Sequence, residues 1–236
     1  MSIVKRANAL LDIALVLATF VIVKIVADPF TWQYSSIIAG FITLGIATLI
    51  VHARNTTWAD FGLTWRGPVS LKAFFVTLLQ IVVVFVVSVG LSYLTATIAG
   101  QFFERPVEAD DRFGNIVGNL PLFLWWVFLS WSVGGFMEEM VFRGYFITKL
   151  ETVFSNSPAS SRFSAPALIA VVLSALIFGA AHLYYRGMQG AITLTVVGII
   201  MGLFYLAFGR KLWPLVLTHG TVNTLAILGR FLDQDW

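Results

Sequence analysis

The chain has 236 residues, 58% of them hydrophobic and 11% charged, with a mean hydropathy of +0.88. So little charge cannot cover the exterior of a water-soluble domain of this length, and lipid is the expected main solvent. The fifteen Lys and Arg residues are scattered singly or in pairs around a net charge of +3, which leaves no basic stripe for a nucleic-acid backbone. The absence of cysteine removes disulfides, thiolate nucleophiles and Cys-based zinc sites.

A membrane helix needs about 20 predominantly apolar residues. Lys5 and Arg6 precede the apolar run Ala7 to Ala27, which is long for a signal peptide and carries Ile25 where a cleavage site needs a small residue, so it reads as a retained first span. A second runs from Ser35 to Val51. The polar stretch Val51 to Pro68 follows, with an interfacial turn expected around Trp58 and Trp65. The third span, Ala73 to Gly100, has Ser70 as its helix-start residue, and the fourth, Asn119 to Leu150, opens on Asn119 and Pro121. Beyond a polar stretch from Thr152, Ser164 and Pro166 open the fifth, Ser164 to Tyr185. Gly187 to Gly209 is the sixth, and Leu212 to Gly229, with Pro214 in its first turn, the seventh. The expected fold class is all-α: a polytopic transmembrane helical bundle of about seven to eight spans. It forms one domain over residues 1–236, with peripheral helices in 1–100 and the chemically interesting core in about 119–229.

Loop charges suggest the orientation. With a cytoplasmic N-terminus, ten Lys and Arg residues (positions 5, 6, 54, 66, 72, 143, 149, 162, 210 and 211) lie inside and four (105, 112, 186 and 230) outside. A multi-pass protein of the cytoplasmic membrane with its N-terminus inside is the expectation.

Charges within such spans are costly, roughly 2.5 to 3.5 kcal/mol each at a helix centre, so they default to functional candidates. Glu138 and Glu139 follow an uncharged run from Phe113 to Met137 and precede Arg143. On an α-helix Glu139 and Arg143 share a face in the favourable acid-first order, while Glu138 is rotated about 100° away, free for chemistry. The plain alternative is that both acids mark a hydrated helix end. Two of the three histidines also lie inside apolar helices, His182 four residues after Phe178 and His219 four before Asn223, whereas His52 sits near Arg54 as a surface residue. A lone buried histidine is usually a hydrogen-bonded core residue; two together with an acid pair point to a site.

Depth is harder to reconcile. Glu138 and His182 lie about 20 and 27 Å along their helices from the loop joining the fourth and fifth spans, at 1.5 Å per residue. His219 is only eight residues into its own span. The three meet only if the helices are tilted or offset and a wet cavity opens from the cytoplasmic side.

A carboxylate and an imidazole sharing a water suit hydrolysis by general-base catalysis, and His219 with the Asn223 amide suits an oxyanion. Glu138, His182 and His219 also form a possible zinc ligand set, although no H-E-x-x-H helix is present; a metal-free reaction requiring no cofactor is the preferred expectation.

These residues resemble the CAAX protease and bacteriocin-processing family, also called Abi. Glu138-Glu139-Met-Val-Phe-Arg143 is similar to its E-E-x-x-x-R, Phe178-Gly-Ala-Ala-His182 to F-x-x-x-H, and His219-Gly-Thr-Val-Asn223 to H-x-x-x-N, all in family order. The resemblance implies an intramembrane endopeptidase with a cytoplasm-facing cavity. In it Glu138 would be the base and acid, His182 its partner on the water, His219 and Asn223 the oxyanion stabilisers, Glu139 and Arg143 a structural ion pair, and Phe178 a packing residue. Expected partners are the bilayer and a peptide or membrane-protein substrate, prenylated or a leader peptide. The competing classes are a non-catalytic scaffold, such as a bacteriocin-immunity protein, and a proton-coupled transporter.

Overall fold

The computed structural model describes residues 3–64, 70–106, 111–155 and 161–233. Every regular element among them is helical: α1 (Ile3–Ala53), α2 (Leu71–Ala99), α3 (Leu120–Leu129), a π-helical segment (Ser130–Phe146), α4 (Ile147–Phe154), α5 (Ala165–Ala207) and α6 (Trp213–Phe231), with short 3₁₀ turns at Trp58–Phe61 and Asp111–Phe113. Four helices are long and apolar enough to cross a membrane: α1, α2, the continuous rod Leu120–Phe154, and α5. The chain is an integral membrane protein.

The helix starts follow their local chemistry. Ser70, Asn119 and Ser164 each accept a hydrogen bond from a backbone N–H in the first turn, and Pro121, Pro166 and Pro214 occupy first-turn positions where no intrahelical donor is needed. Trp58 lies in the expected turn; Trp65 lies outside the described residues.

The two longest helices each reverse. In α1 the break is at Thr31 (φ −162°, ψ 68°), two residues after Pro29. Asp12 and Arg54, which a straight helix would hold about 60 Å apart, meet at 2.7 Å. In α5 the break is Gly187 (φ +63°), a backbone conformation that glycine takes without penalty. These reversals fall where the sequence separates its first span from its second and its fifth from its sixth.

The bundle therefore has two distinct ends. The reversals at Thr31 and Gly187 lie at one, where Arg112 donates to Gln33 O and to Ser36 Oγ. The opposite end holds the N-terminus and an ion network: Asp12, 1% exposed, takes Arg54 and Lys149 at 2.7 Å each, and Arg210 meets Glu151 at 2.6 Å. There Tyr205 also donates to Phe61 O, joining α5 to the turn after α1.

Candidate active site

Both acids lie on the π-helical segment, between the α-helical turns of α3 and α4. Bonding from i to i+5 puts more residues into each turn, so neighbouring side chains are separated by less than the 100° of an α-helix. Glu138 and Glu139 can therefore face one neighbouring helix together. That helix is α6. His219 Nδ1 lies 2.7 Å from Glu139 Oε1, and its Nε2 lies 3.8 Å from Glu138 Oε2.

This contact depends on a close helix crossing. A Cβ at Gly135 would lie 3.2 Å from Gly220 Cα and 3.3 Å from Val216 O, so the two backbones touch where larger residues would hold them apart. The crossing puts His219 beside the acids and seats the Asn223 amide against Gly134, one turn before Glu138. Trp131 Nε1 donates to Thr224 Oγ1 at 2.9 Å and fixes the same interface one step further along.

Glu139 and Arg143, 0% and 2% exposed, form the ion pair expected from their spacing, at 3.0 Å. Glu139 has a second partner that spacing along one helix does not reveal: its Oε1 also meets His219 across the interface. Arg143 stacks over Phe178, 4.4 Å from the ring centroid, and Phe178 in turn packs against His182 at 4.6 Å and Phe142 at 4.9 Å. The motif phenylalanine thus supports the buried guanidinium and one histidine at once.

His182 Nδ1 donates to Phe178 O at 2.7 Å, since a carbonyl can only accept; the neutral ring then presents Nε2 as an acceptor. His182 and Glu138 line one cavity of about 90 Å³, room for several waters. It lies between α1, the π-helical segment and the first half of α5, and Met137, Phe142, Thr43, Tyr185 and Arg112 share its wall. His52, in the last turn of α1, is exposed.

The four motif residues thus divide into two sets: Glu138 and His182 line the cavity, and His219 and Asn223 lie against the π-helical segment behind Glu138. Three features escape a reading of the residues alone. Arg112 reads only as a loop charge, Thr43 and Tyr185 look like ordinary span residues, and nothing in the composition flags a π-helical segment beyond the small residues Gly134 and Gly135 within it. Nothing sets Arg112 apart in the sequence, where it ends a charged stretch that also holds Glu104, Arg105, Glu108, Asp110 and Asp111.

Among the described residues no three His, Asp or Glu side chains are disposed to hold a metal ion. Of the three residues that could ligate zinc, Glu138 and His182 line the cavity, while His219 lies behind Glu138; the Nδ1 atoms of both histidines are engaged, with Phe178 O and Glu139, which leaves each Nε2 as the available acceptor.

Neither a curated protein nor a solved structure matches the chain. A family model does: the type II CAAX prenyl endopeptidase Rce1-like family matches residues 120–225, from the first turn of α3 into α6. That stretch contains Glu138, Glu139, Arg143, Phe178, His182, His219 and Asn223, the seven motif residues, while the cavity wall also draws on Thr43 and Arg112 from outside it. The match covers 106 of the 236 residues, and over that stretch the chain is similar to the type II CAAX prenyl endopeptidases.

Proposed function

We propose that the protein is an intramembrane endopeptidase that hydrolyses a peptide bond with a water activated by Glu138 and His182. The observation that supports this most is one imidazole serving two acids, His219 held by Glu139 on one nitrogen and facing Glu138 with the other. A hydrated helix end has no need of such an arrangement.

In this reading Glu138 takes a proton from the water as the water oxygen bonds to the carbonyl carbon, and the carbonyl electron pair moves onto oxygen. Collapse of the tetrahedral species breaks the C–N bond, and Glu138 passes the proton to the departing amine. His182 offers its Nε2 lone pair to the same water. His219 and the Asn223 amide take the oxyanion role when the scissile carbonyl enters between Glu138 and α6, on the side of Glu138 away from His182. With its Nδ1 proton given to Glu139, His219 donates from Nε2 only when the ring carries both protons, and Glu139 supplies the countercharge. Glu139 and Arg143 are positioning residues in this scheme. No step uses a metal or another cofactor.

The substrate is a peptide or membrane protein reached from within the bilayer; a prenylated C-terminus and a leader peptide are the two chemistries the reading admits. Most Lys and Arg residues flank the end that carries the N-terminus, so we place that end on the cytoplasmic side. The Arg112 wall of the cavity lies at the opposite end and then faces away from the cytoplasm. A cytoplasmic N-terminus and a cavity whose Arg112 wall opens to the cytoplasm are therefore alternatives.

The test is cleavage of an internally quenched peptide by purified, lipid-reconstituted protein. Glu138→Gln and His182→Ala are each expected to lose at least about 100-fold in rate while unfolding at the wild-type temperature. Wild-type rates from both variants would sink the proposal.

A further inference from the structure

Two hydroxyls stand on the wall that α1 contributes to the cavity, and one of them is unused. Ser36 accepts from Arg112 Nη2. Thr43 is 4% exposed, and among the described residues its Oγ1 has no hydrogen-bond partner. This departs from the habit of the molecule. Nine other threonines in the helices, Thr19, Thr48 and Thr97 among them, donate to the carbonyl four residues back. Thr43 makes no such bond to Ala39, although both lie in regular helix beyond the break at Thr31. Other buried polar atoms among the described residues also lack a partner, but none of their residues lines this cavity. A buried hydroxyl left without a partner destabilises the free protein, and a ligand that supplies the partner is held more tightly there.

The packing of α1 sets the depth of this hydroxyl. Tyr34 stacks on Trp126 with ring centroids 5.6 Å apart, and Gly40 lies so close to Met137 that a Cβ there would overlap Met137 Cε. The two contacts advance together, so α1 beyond Thr31 and the rod Leu120–Phe154 run in the same direction. Thr43 is one turn, about 4.5 Å, beyond Gly40, and Glu138 directly follows Met137. The hydroxyl therefore lies within about one turn of Glu138 in depth. An extended peptide advances about 3.3 Å per residue, with successive carbonyls directed to opposite sides. With the scissile carbonyl directed to α6, its neighbour is directed to α1, at the level of Thr43. That carbonyl needs a donor, because Val16, Leu17, Phe20 and Val141 make much of the wall apolar and an unpaired backbone group is costly inside a membrane.

We propose that Thr43 is a substrate-binding residue, donating its hydroxyl hydrogen to the backbone carbonyl next to the scissile one and so holding the chain extended across Glu138. This rests on the endopeptidase reading and deepens it with a contact from α1, outside the matched residues 120–225. The bond-breaking stays with Glu138 and His182.

The test measures binding of the internally quenched peptide to full-length Glu138→Gln protein in lipid nanodiscs, alongside its hydrolysis by Glu138-intact protein. Thr43→Val keeps the shape of the side chain and removes the hydroxyl. It is expected to weaken binding at least about fivefold and to lower kcat/KM to match. It should unfold at or above the wild-type temperature, because the free protein loses no hydrogen bond. Thr43→Ser should keep most of the affinity. Backbone ester substitution, which weakens one carbonyl at a time as an acceptor, identifies the bonded group: one ester should weaken binding to Thr43-bearing protein and lose most of that effect once Thr43→Val is present. Equal affinities of the Thr43 and Thr43→Val proteins overturn the proposal. So do a Thr43→Val protein that melts early, an ester scan in which no position weakens binding to Thr43-bearing protein, and a peptide that does not bind at all. Hydroxyl-dependent binding without any hydrolysis by Glu138-intact protein would sink the endopeptidase reading and leave the contact standing. Hydrolysis by Thr43→Val with unchanged kcat and KM would do the reverse.

Discussion

Replacing Arg143 with Met removes the guanidinium 3.0 Å from the Glu139 carboxylate and leaves that carboxylate, 0% exposed, inside the bundle. Breaking a buried pair by removing one partner costs about 3–5 kcal/mol, because the remaining charge is left without compensation. Here the lower end applies, since His219 stays at 2.7 Å from the same oxygen and can carry part of the countercharge. Loss of the contact between Arg143 and the Phe178 face, 4.4 Å to the centroid, adds about 0.5–2 kcal/mol. The assay is denaturant unfolding in mixed micelles, with intrinsic tryptophan fluorescence and peptide hydrolysis followed together. Removing the acid as well, in Glu139→Gln/Arg143→Met, should recover about 1 kcal/mol or more relative to Arg143→Met alone, because no orphan charge remains. Activity should not recover with it, since a neutral amide in place of the Glu139 carboxylate supplies no countercharge to His219. A cost under about 1 kcal/mol for Arg143→Met would refute the reasoning, as it would mean that the pair is solvated.

The crossing of α6 over the π-helical segment gives a second test: Gly135→Val forces the two helices apart at Gly220 and should cost about 1–3 kcal/mol and lower kcat more than it raises KM, read by steady-state kinetics. Unchanged kinetics would show that His219 does not depend on that contact. Sidedness is open to cysteine labelling, because the chain has no cysteine of its own. In intact cells an impermeant maleimide should reach Gln101→Cys and spare Ser161→Cys, and the opposite pattern would put the Arg112 wall on the cytoplasmic side. Hydrolysis should persist after exhaustive metal depletion; activity restored only by added Zn²⁺ would replace the metal-free scheme.

Patterns local to one helix can be read directly from the residues. The acid-first spacing of Glu139 and Arg143, the caps at Ser70, Asn119 and Ser164, and the apolar runs broken near Thr31 and Gly187 all depend on neighbours in the chain, and the structure has each of them. What crosses between helices is out of reach of such reading. The motif order pairs His219 with the chemistry of Glu138, yet its first partner is Glu139, a contact set by the Gly135–Gly220 crossing and by the π-helical turn that brings both acids round to α6. Asp12 sits in the first apolar run without any local partner; Arg54 and Lys149 reach it only because α1 folds back and α4 packs beside it. Arg112 shows the same limit from the other side. Its sequence neighbours suggest a loop, whereas its tethers Gln33 and Ser36 lie more than seventy positions away.

The most direct measurement asks whether Glu138 and His219 act as one unit. Single-turnover peptide hydrolysis by Glu138→Gln, His219→Ala and the double variant, each verified as folded, supplies the three rates. If the two side chains serve the same water and the same oxyanion, the double variant should be no more than about threefold slower than the worse single one, because groups that act together are not lost twice. A double variant whose loss equals the product of the two single losses would contradict a shared site.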